Sequence, residues 1–267
     1  MPSWRPNVRL APNVPVAARP STYGALAAAL DPVAFARRAG IEPDPWQRDV
    51  LRSTDQRMLL NCSRQSGKTT TTALLGLYVA MHKPGSLVLI LSPSLRQSSE
   101  FFRTLAGLYS ASGATVPSTA ETLLRLELEN GSRVLSLPAS EKTVRGFPAV
   151  DLLLIDEASR VLDDLYATVR PMLAVSNGRL VALSTPFGKR GWWSDAWHSA
   201  SDWKRVSITA AQCPRISPAF LAEERRELGE WWFRQEYECA FMDAESQIFT
   251  SAEIESAFAV EYRTWNL

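Results

Sequence analysis

One short segment constrains the fold of this chain more than any other: an apolar run, a loop ending in Gly-Lys-Thr, and a helical pattern. The apolar residues 58–60 precede the loop 61–69 (NCSRQSGKT), and residues 70–77 continue as a helix. A strand, a tight loop and a helix in this order form a phosphate-binding P-loop, because the loop amides and the helix N-terminus present partial positive charge. The sequence therefore predicts a nucleoside triphosphate site on an α/β fold.

The side chains of this loop have distinct predicted roles. Lys68 would reach the β- and γ-phosphates, and the Thr69 hydroxyl would hold Mg²⁺. The residues predicted to bind the nucleotide here are Arg64, Gln65, Ser66, Gly67, Lys68, Thr69 and Thr70. Cys62 stands where the usual pattern has its first glycine, a departure that the surrounding strand and helix patterns outweigh. We expect ATP and Mg²⁺ as cofactors.

The composition is that of an ordinary globular chain with no strong charge bias. Of its 267 residues, 46% are hydrophobic and 21% are charged, and the net charge is +1. Any contact with nucleic acid must therefore come from local basic patches. Three scattered cysteines and two histidines give no metal-ligand spacing, so a structural zinc site is not expected. Without an apolar run suited to a signal peptide or a bilayer span, we expect a soluble, cytoplasmic protein that binds no membrane.

Short apolar runs alternate with helical patterns along the chain, which is typical of a parallel sheet with crossover helices. The predicted strands are residues 57–62, 86–92, 150–155, 179–184 and 203–208. The predicted helices are residues 68–82, 95–111, 159–174, 191–199 and 218–237, with a short one between Asp31 and Gly40. Alternating residues on both sides of Asn130-Gly131 predict a β-hairpin. The predicted fold class is therefore an α/β P-loop NTPase of the ASCE or RecA-like kind, three-layered, with a mostly parallel central sheet and an added antiparallel hairpin.

A second apolar strand supplies the acids that a P-loop site needs. Residues 150–155 form a continuous apolar run that ends in Asp156 and Glu157. Ligands of open α/β sheets bind at the carboxyl ends of strands, where these acids would lie. Asp156 suits Mg²⁺, and Glu157 suits the polarisation of an attacking water. The alternative is a helix N-terminus that carries acids because the helix dipole favours them there.

Three further segments have both a functional and an ordinary interpretation. Gln47, upstream of the P-loop strand, either reads adenine through its amide or is a solvated side chain. Ser184 and Thr185 either sense the γ-phosphate and couple its loss to motion, or simply end a strand. Lys189 and Arg190, in a loop flanked by glycine, either contact DNA phosphates or are solvated surface residues.

Taken together, these segments resemble the ATPase (motor) domain of the large terminase subunit of tailed bacteriophages. The segments that carry the resemblance are Trp46-Gln47, the loop 62–69, residues 154–158, Ser184-Thr185-Pro186, and residues 233–237 followed by Phe241. The resemblance spans roughly residues 40–250. Cysteine in place of the first glycine, with Arg-Gln inside the loop, is more similar to terminases than to helicases.

The resemblance implies an ATP-driven translocase that moves double-stranded DNA through a portal protein into a procapsid. It also implies the small terminase subunit as a partner, a homo-oligomeric ring that is typically a pentamer, and action in the host cytoplasm. Arg145 matches the position of an arginine finger that acts in trans on the γ-phosphate, with a loop arginine paired to a carboxylate as the alternative. Arg64 either contacts phosphate from within the loop, or switches between partners, or is an ordinary surface arginine.

The sequence departs from the family pattern in one respect, and two other functions remain as alternatives. Large terminases usually continue into a nuclease domain, but only about 25 residues follow Phe241, too few for another domain. We therefore expect an arm over 1–20, the ATPase domain over 21–250, and a tail or linker start over 251–267, with no nuclease in this chain. The alternatives are a helicase-like translocase, which would need a second lobe, and a nucleotide-binding assembly module without turnover.

Overall fold

The structure, a computed structural model, describes residues 22–140, 144, 146–243 and 256. Its strands are β1 (Arg57–Cys62), β2 (Leu87–Ser92), β3 (Ser118–Glu121), β4 (Arg125–Leu128), β5 (Arg133–Pro138), β6 (Leu152–Asp156), β7 (Arg179–Ser184) and β8 (Lys204–Ile208). They form one eight-stranded sheet in the order β3-β4-β5-β2-β6-β7-β1-β8. The six strands from β5 to β8 in that order pair in parallel, whereas β3, β4 and β5 pair antiparallel.

The helices cover both faces of this sheet. They are α1 (Thr22–Leu30), α2 (Pro32–Arg38), α3 (Pro45–Arg52), α4 (Lys68–His82), α5 (Leu95–Ala111), α6 (Asp163–Val169), α7 (Gly191–His198) and α8 (Pro218–Tyr237). Short 3-10 helices lie at Ala158–Arg160, Arg170–Leu173 and Ala210–Gln212. None of the helices within the described ranges is both long enough and apolar enough to cross a bilayer.

Successive side chains of the central strands point to opposite faces of the sheet, which divides the core into two layers. In β6, Leu152 and Leu154 pack on the side of α2 to α5, whereas Leu153 and Ile155 pack on the side of α6 and α7. Every residue of β6 is buried, as expected for a strand covered on both faces. Helix α4 approaches the sheet closely at Gly76, where a Cβ would lie 3.3 Å from Leu154 Cδ1. The three-layer α/β prediction is confirmed.

The strand order brings the predicted functional segments to one edge of the sheet. Strand β7 lies between β1 and β6, and all three are parallel. Their carboxyl ends therefore coincide, and the segments that follow them meet there. These segments are the P-loop after β1, Glu157 after β6, and Thr185 after β7.

Several local predictions need correction. Residues 159–174 are not one helix: Val161 and Leu162 are extended, and α6 occupies only the middle of the range. Pro171 has no N–H to donate to the preceding turn, so the end of this segment is 3-10 helix. Helix α8 is interrupted at Gly229 (φ 77°, ψ 164°). Helices α1 and α3 and the short strand β3 were not predicted.

The predicted hairpin is present, with β4 and β5 on either side of the Asn130-Gly131 turn. The Asn130 amide donates to the Ala80 carbonyl oxygen at 2.9 Å, which ties this turn to the end of α4. Three predicted features lie outside the described residues: the arm over 1–20, Arg145, and the tail over 251–267 apart from Ser256.

Candidate nucleotide site

A cleft of about 650 Å³ opens at the carboxyl edge of β1, β6 and β7. The residues that line it are Arg64, Gln65, Gly67, Lys68, Thr69, Thr70, Gln97, Glu157, Arg160, Thr185, Pro186 and Glu236. Most of the sequence-predicted phosphate-binding residues thus face one cavity. Ser66 is fully buried in the loop beneath it.

Two residues of the loop have a left-handed backbone. Gln65 (φ 58°) and Gly67 (φ 92°) are left-handed, and α4 begins at Lys68. A Cβ on Gly67 would lie 2.9 Å from Gln47 Nε2, so both the backbone angle and the close approach favour glycine. The first turn of α4 thereby directs unpaired N–H groups and the positive end of its dipole toward the cleft.

Lys68 is held between two partners from the neighbouring strand ends. Its Nζ lies 3.2 Å from Glu157 Oε1 and donates to Thr185 Oγ1 at 3.3 Å. The residue is only 8% exposed, and a buried ammonium is tolerated only with such partners. The same donors can transfer to phosphate oxygens, since Lys68 lines the cleft.

Asp156 is a buried carboxylate that lacks sufficient partners. Its Oδ1 has no hydrogen-bond partner within the described part of the chain. Burial and then the charge of Glu157 raise the pKa of Asp156 to about 7, although the charge of Lys68 opposes them. A cation would offset the free-energy cost of burying this carboxylate, and oxygen donors are the ligands that Mg²⁺ prefers. Asp156 and the cleft-lining Thr69 could therefore hold Mg²⁺.

Glu157 occupies a strained position. Its backbone is left-handed (φ 48°, ψ 47°), which costs a non-glycine residue about 1–3 kcal/mol. This turn takes its carboxylate out of the strand direction, so that it borders the cleft between Lys68 and Ser184. Strain of this kind is maintained where surrounding contacts fix the residue, and Glu157 is half-buried with such contacts.

The end of β7 connects the other two strand ends. Thr185 Oγ1 donates to the Cys62 carbonyl oxygen at 3.1 Å, which joins it to the P-loop. Ser184 Oγ donates to Ser159 Oγ at 2.7 Å, which joins it to the 3-10 helix after Glu157. The segment predicted to couple nucleotide state to motion is thus bonded to both halves of the site.

The remaining predicted residues lie in varied surroundings. Gln47 Oε1 accepts from the Asp44 N–H at 2.8 Å in the capping box of α3, while its Nε2 adjoins Gly67. Lys189 Nζ lies 3.3 Å from Asp243 Oδ1. The Arg190 guanidinium is exposed and lies 4.6 Å from the ring centroid of Phe187.

Four residues that line the cleft were not predicted as site residues: Gln97, Arg160, Pro186 and Glu236. Arg64 Nε donates to Glu236 Oε2, and the Arg64 N–H donates to the Glu236 carbonyl oxygen at 3.2 Å. Glu236 is 172 positions from Arg64 in the chain, so no local pattern could have paired them. Arg160, three residues after Glu157, could have been found as the first basic residue beyond the acidic pair.

The site and the fold have known counterparts. The sequence profile of the family described as "Terminase large subunit, T4likevirus-type, N-terminal" matches residues 59–256. The large terminase subunit of Escherichia phage T5 is 27% identical over 222 residues, which are 79% of this chain and 50% of that protein. The large terminase subunit of Thermus phage G20c is 22% identical over 259 residues, which are 82% of this chain and 53% of that protein.

Solved structures agree on the fold. The large terminase ATPase domain of Thermus phage P74-26 superposes with a TM-score of 0.68 at 20% identity, covering 78% of this chain and 97% of that one. The large terminase of a thermophilic bacteriophage, solved in complex with ADP, gives a TM-score of 0.62 at 10% identity, covering 75% of this chain and 54% of that one. These neighbours have the P-loop ASCE fold, as predicted.

The match covers most of this chain but only part of each relative. The chain spans about half the length of the curated relatives that it matches. The profile match covers most of the chain, including the P-loop, the acidic pair and α8. The chain therefore belongs to the large terminase subunit family, and residues 59–256 correspond to the N-terminal domain of that family.

Proposed function

We propose that this chain is the ATP-hydrolysing, DNA-translocating domain of a viral genome-packaging motor. The observation that carries the proposal is the contact of Lys68 with Glu157 in one cleft beside a P-loop, next to the buried carboxyl of Asp156. Membership in the large terminase subunit family supports the same activity. The proposed partners are double-stranded DNA, a portal protein, the small terminase subunit and further copies of this chain in a ring, typically a pentamer, in the host cytoplasm.

The contacts of Lys68 suggest how binding prepares hydrolysis. When a triphosphate enters, its oxygens replace Glu157 as the partner of the Lys68 ammonium, 3.2 Å away. The freed Glu157 carboxylate orients a water and accepts its proton as the water oxygen attacks the γ-phosphorus and the bond to the β-phosphate oxygen breaks. Mg²⁺, held through Thr69 and Asp156, would neutralise phosphate charge.

Two further parts of the proposal concern communication. Arg145 of a neighbouring copy would insert its guanidinium at the γ-phosphate and offset the charge that develops there. Ser184 and Thr185 would transmit the loss of the γ-phosphate, since they bond to the P-loop and to the segment after Glu157. Gln47, beside Gly67, would orient the nucleotide and read its adenine.

Steady-state ATP turnover with two variants tests the central claim. Glu157→Gln should bind ATP but lose at least about 100-fold in turnover, because proton acceptance typically contributes that much. Lys68→Ala should lose ATP binding itself. Glu121→Gln is the matched control, because this exposed carboxylate lies on the edge strand β3.

The outcomes separate the candidate functions. Turnover by Glu157→Gln close to that of the wild-type protein would remove Glu157 as the base. ATP binding without any wild-type turnover would instead support a nucleotide-binding assembly module. Unchanged ATP affinity in Lys68→Ala would contradict the assignment of the P-loop.

A further inference from the structure

Two arginines share one aromatic ring beside the nucleotide cleft. The guanidinium carbon of Arg160 lies 4.1 Å from the ring centroid of Phe187, and that of Arg190 lies 4.6 Å from it. Both arginines are exposed, and Phe187 is half-buried. We call Arg160, Phe187 and Arg190 the arginine–phenylalanine cluster.

The cluster concentrates positive charge that the described residues do not neutralise. Neither guanidinium has a carboxylate or carbonyl partner in the described ranges, whereas Arg64, Arg215 and Arg225 each form ion pairs. Contact with a ring contributes only about 0.5–1 kcal/mol for an exposed cation, which is comparable to the repulsion between two such charges. An anion placed against both arginines would remove that repulsion.

The surface around the cluster is a groove of about 430 Å³. Among the described residues that line it, Asp163 alone is acidic, and its Oδ1 accepts the Trp192 N–H at 2.8 Å. Leu162, which is 76% exposed, adds apolar surface on the same groove. Exposed arginines along a groove suit the phosphate oxygens of a nucleic-acid backbone, which take most protein–DNA hydrogen bonds together with the sugars.

The position of the groove favours DNA over a free nucleotide as the ligand. Phe187 follows Thr185 by two residues, and Thr185 contacts Lys68 in the cleft. Arg160 lines both the cleft and the groove. A ligand in the groove would therefore contact the segment that the nucleotide also contacts. Since the chain's net charge is only +1, contact with DNA requires a local cluster of this kind.

We propose that the arginine–phenylalanine cluster binds the phosphate backbone of double-stranded DNA, with Arg160 and Arg190 on neighbouring phosphates and Phe187 fixing their spacing. The inference rests on the proposed motor function and deepens it, because it assigns the DNA contact to named residues. The contact reads no base, as translocation over arbitrary sequence requires.

The test is the salt dependence of binding to a mixed-sequence DNA duplex, measured by fluorescence anisotropy between about 50 and 200 mM salt. Arg190→Ala should reduce the slope of log K against log salt by about 1, and Arg160→Ala with Arg190→Ala by about 2. Arg190→Lys keeps the charge and should keep the slope. Phe187→Leu keeps both charges but should weaken binding several-fold, because the guanidinium groups lose their support.

Arg170→Ala is the matched control, because Arg170 is also exposed and also lies over a ring, 5.6 Å from the centroid of Tyr166. Arg170 lies near the amino end of β1, at the edge of the sheet opposite the cleft. Its proximity to Arg57, the first residue of β1, is evident because its charge, after burial, lowers the pKa of Arg57. Its slope should equal that of the wild-type protein. Thermal melting of every variant checks that the fold is retained.

The contrary results differ for the cluster and for the motor. If the wild-type protein binds DNA and Arg190→Ala keeps its slope, the cluster proposal fails while the motor function stands. If the wild-type protein binds no duplex even at about 50 mM salt, both the cluster and the translocase proposals fail. If Arg190→Glu instead changes only how turnover depends on protein concentration, the groove faces a neighbouring copy and the DNA assignment is overturned.

Discussion

At the residue scale, the site is organised around one buried ammonium. Lys68 contacts Glu157 and Thr185 from two different strand ends, and both contacts lie on the wall of the cleft. In the absence of phosphate, Lys68 is paired with Glu157, the carboxylate that hydrolysis would need. In the proposed mechanism, ATP binding and activation of Glu157 as the base would be linked through the Lys68 side chain.

The buried carboxyl of Asp156 makes a prediction about stability. Burial raises its pKa from 3.8 to about 7, so the folded state keeps this proton at pH values where the unfolded state has lost it. The stability that the protonated form contributes is complete below about pH 4 and is lost as the pH rises through about 7. At pH 8 the loss amounts to up to about 4 kcal/mol, since one pKa unit corresponds to about 1.36 kcal/mol.

The asparagine of Asp156→Asn does not titrate. In the absence of metal and nucleotide, this variant should therefore melt at a higher temperature than the wild-type protein at about pH 8. The difference in melting temperature should disappear toward about pH 5. The measurement is Tm against pH in EDTA. Asp164→Asn, at an exposed position in α6, serves as the control and should follow the wild-type curve. A difference in Tm that is independent of pH would contradict the argument.

The residues that could be predicted from the sequence are those whose chemistry is contained in a local pattern. Asp156 and Glu157 lie at the end of one strand signal. Lys68 and Thr69 close the loop that follows another, so local patterns were sufficient to locate all four. Glu236 could not, because its place in the cleft depends on how α8 folds back over the P-loop. The roles assigned to these residues, in phosphate and Mg²⁺ binding and in catalysis, stay predictions, as do those in adenine reading, coupling and DNA contact.

At the element scale, the alternation of apolar runs and helical patterns was sufficient for the parallel strands. The first four residues of the buried strand β6 are all apolar, so its limits were predicted to within two residues. The segment after it was misjudged because its helix is fixed by tertiary contacts. Trp192 Nε1 donates to the Val161 carbonyl oxygen at 3.0 Å, and this bond comes from an element 31 positions away.

One ion pair links two elements across the cleft and predicts a change in affinity. Arg64 in the P-loop pairs with Glu236 near the end of α8, and the Glu236 side chain is 10% exposed. Hydrogen bonding to Glu236 raises the pKa of Arg64 further, so the guanidinium stays charged and bound. A triphosphate entering the cleft must compete with this carboxylate for Arg64.

Glu236→Gln should therefore tighten ATP binding several-fold, because it removes a negative charge from the cleft and frees Arg64 for phosphate. It should also lower stability by about 1 kcal/mol, the usual scale for a partly exposed pair. Isothermal titration with a slowly hydrolysed ATP analogue measures the first effect. Glu238→Gln is the control, since Glu238 pairs with Arg225 and does not line the cleft. Weaker binding by Glu236→Gln would show that the carboxylate supports the site instead.

At the scale of the whole molecule, the nucleotide cleft adjoins the groove of the arginine–phenylalanine cluster, because Arg160 lines both. Hydrolysis by such a site is accelerated when a further positive charge reaches the γ-phosphate. The proposed source is Arg145 of a neighbouring copy. Since a neighbour is then part of each site, activity depends on association as well as on the residues of one chain.

Turnover per subunit should consequently rise with protein concentration and reach a plateau when association is complete. Arg145→Ala should bind ATP with wild-type affinity and lose about 10³-fold or more in turnover, the usual scale of an arginine finger. Mixing Arg145→Ala with Glu157→Gln should restore part of the activity, because an intact Glu157 and an intact Arg145 then meet at the same interface. Arg170→Ala mixed with Glu157→Gln provides the baseline. If turnover is constant and nonzero at all concentrations and mixing restores nothing, each chain holds a complete site, and the activating charge must be sought among its own arginines, beginning with Arg160 on the wall of the cleft.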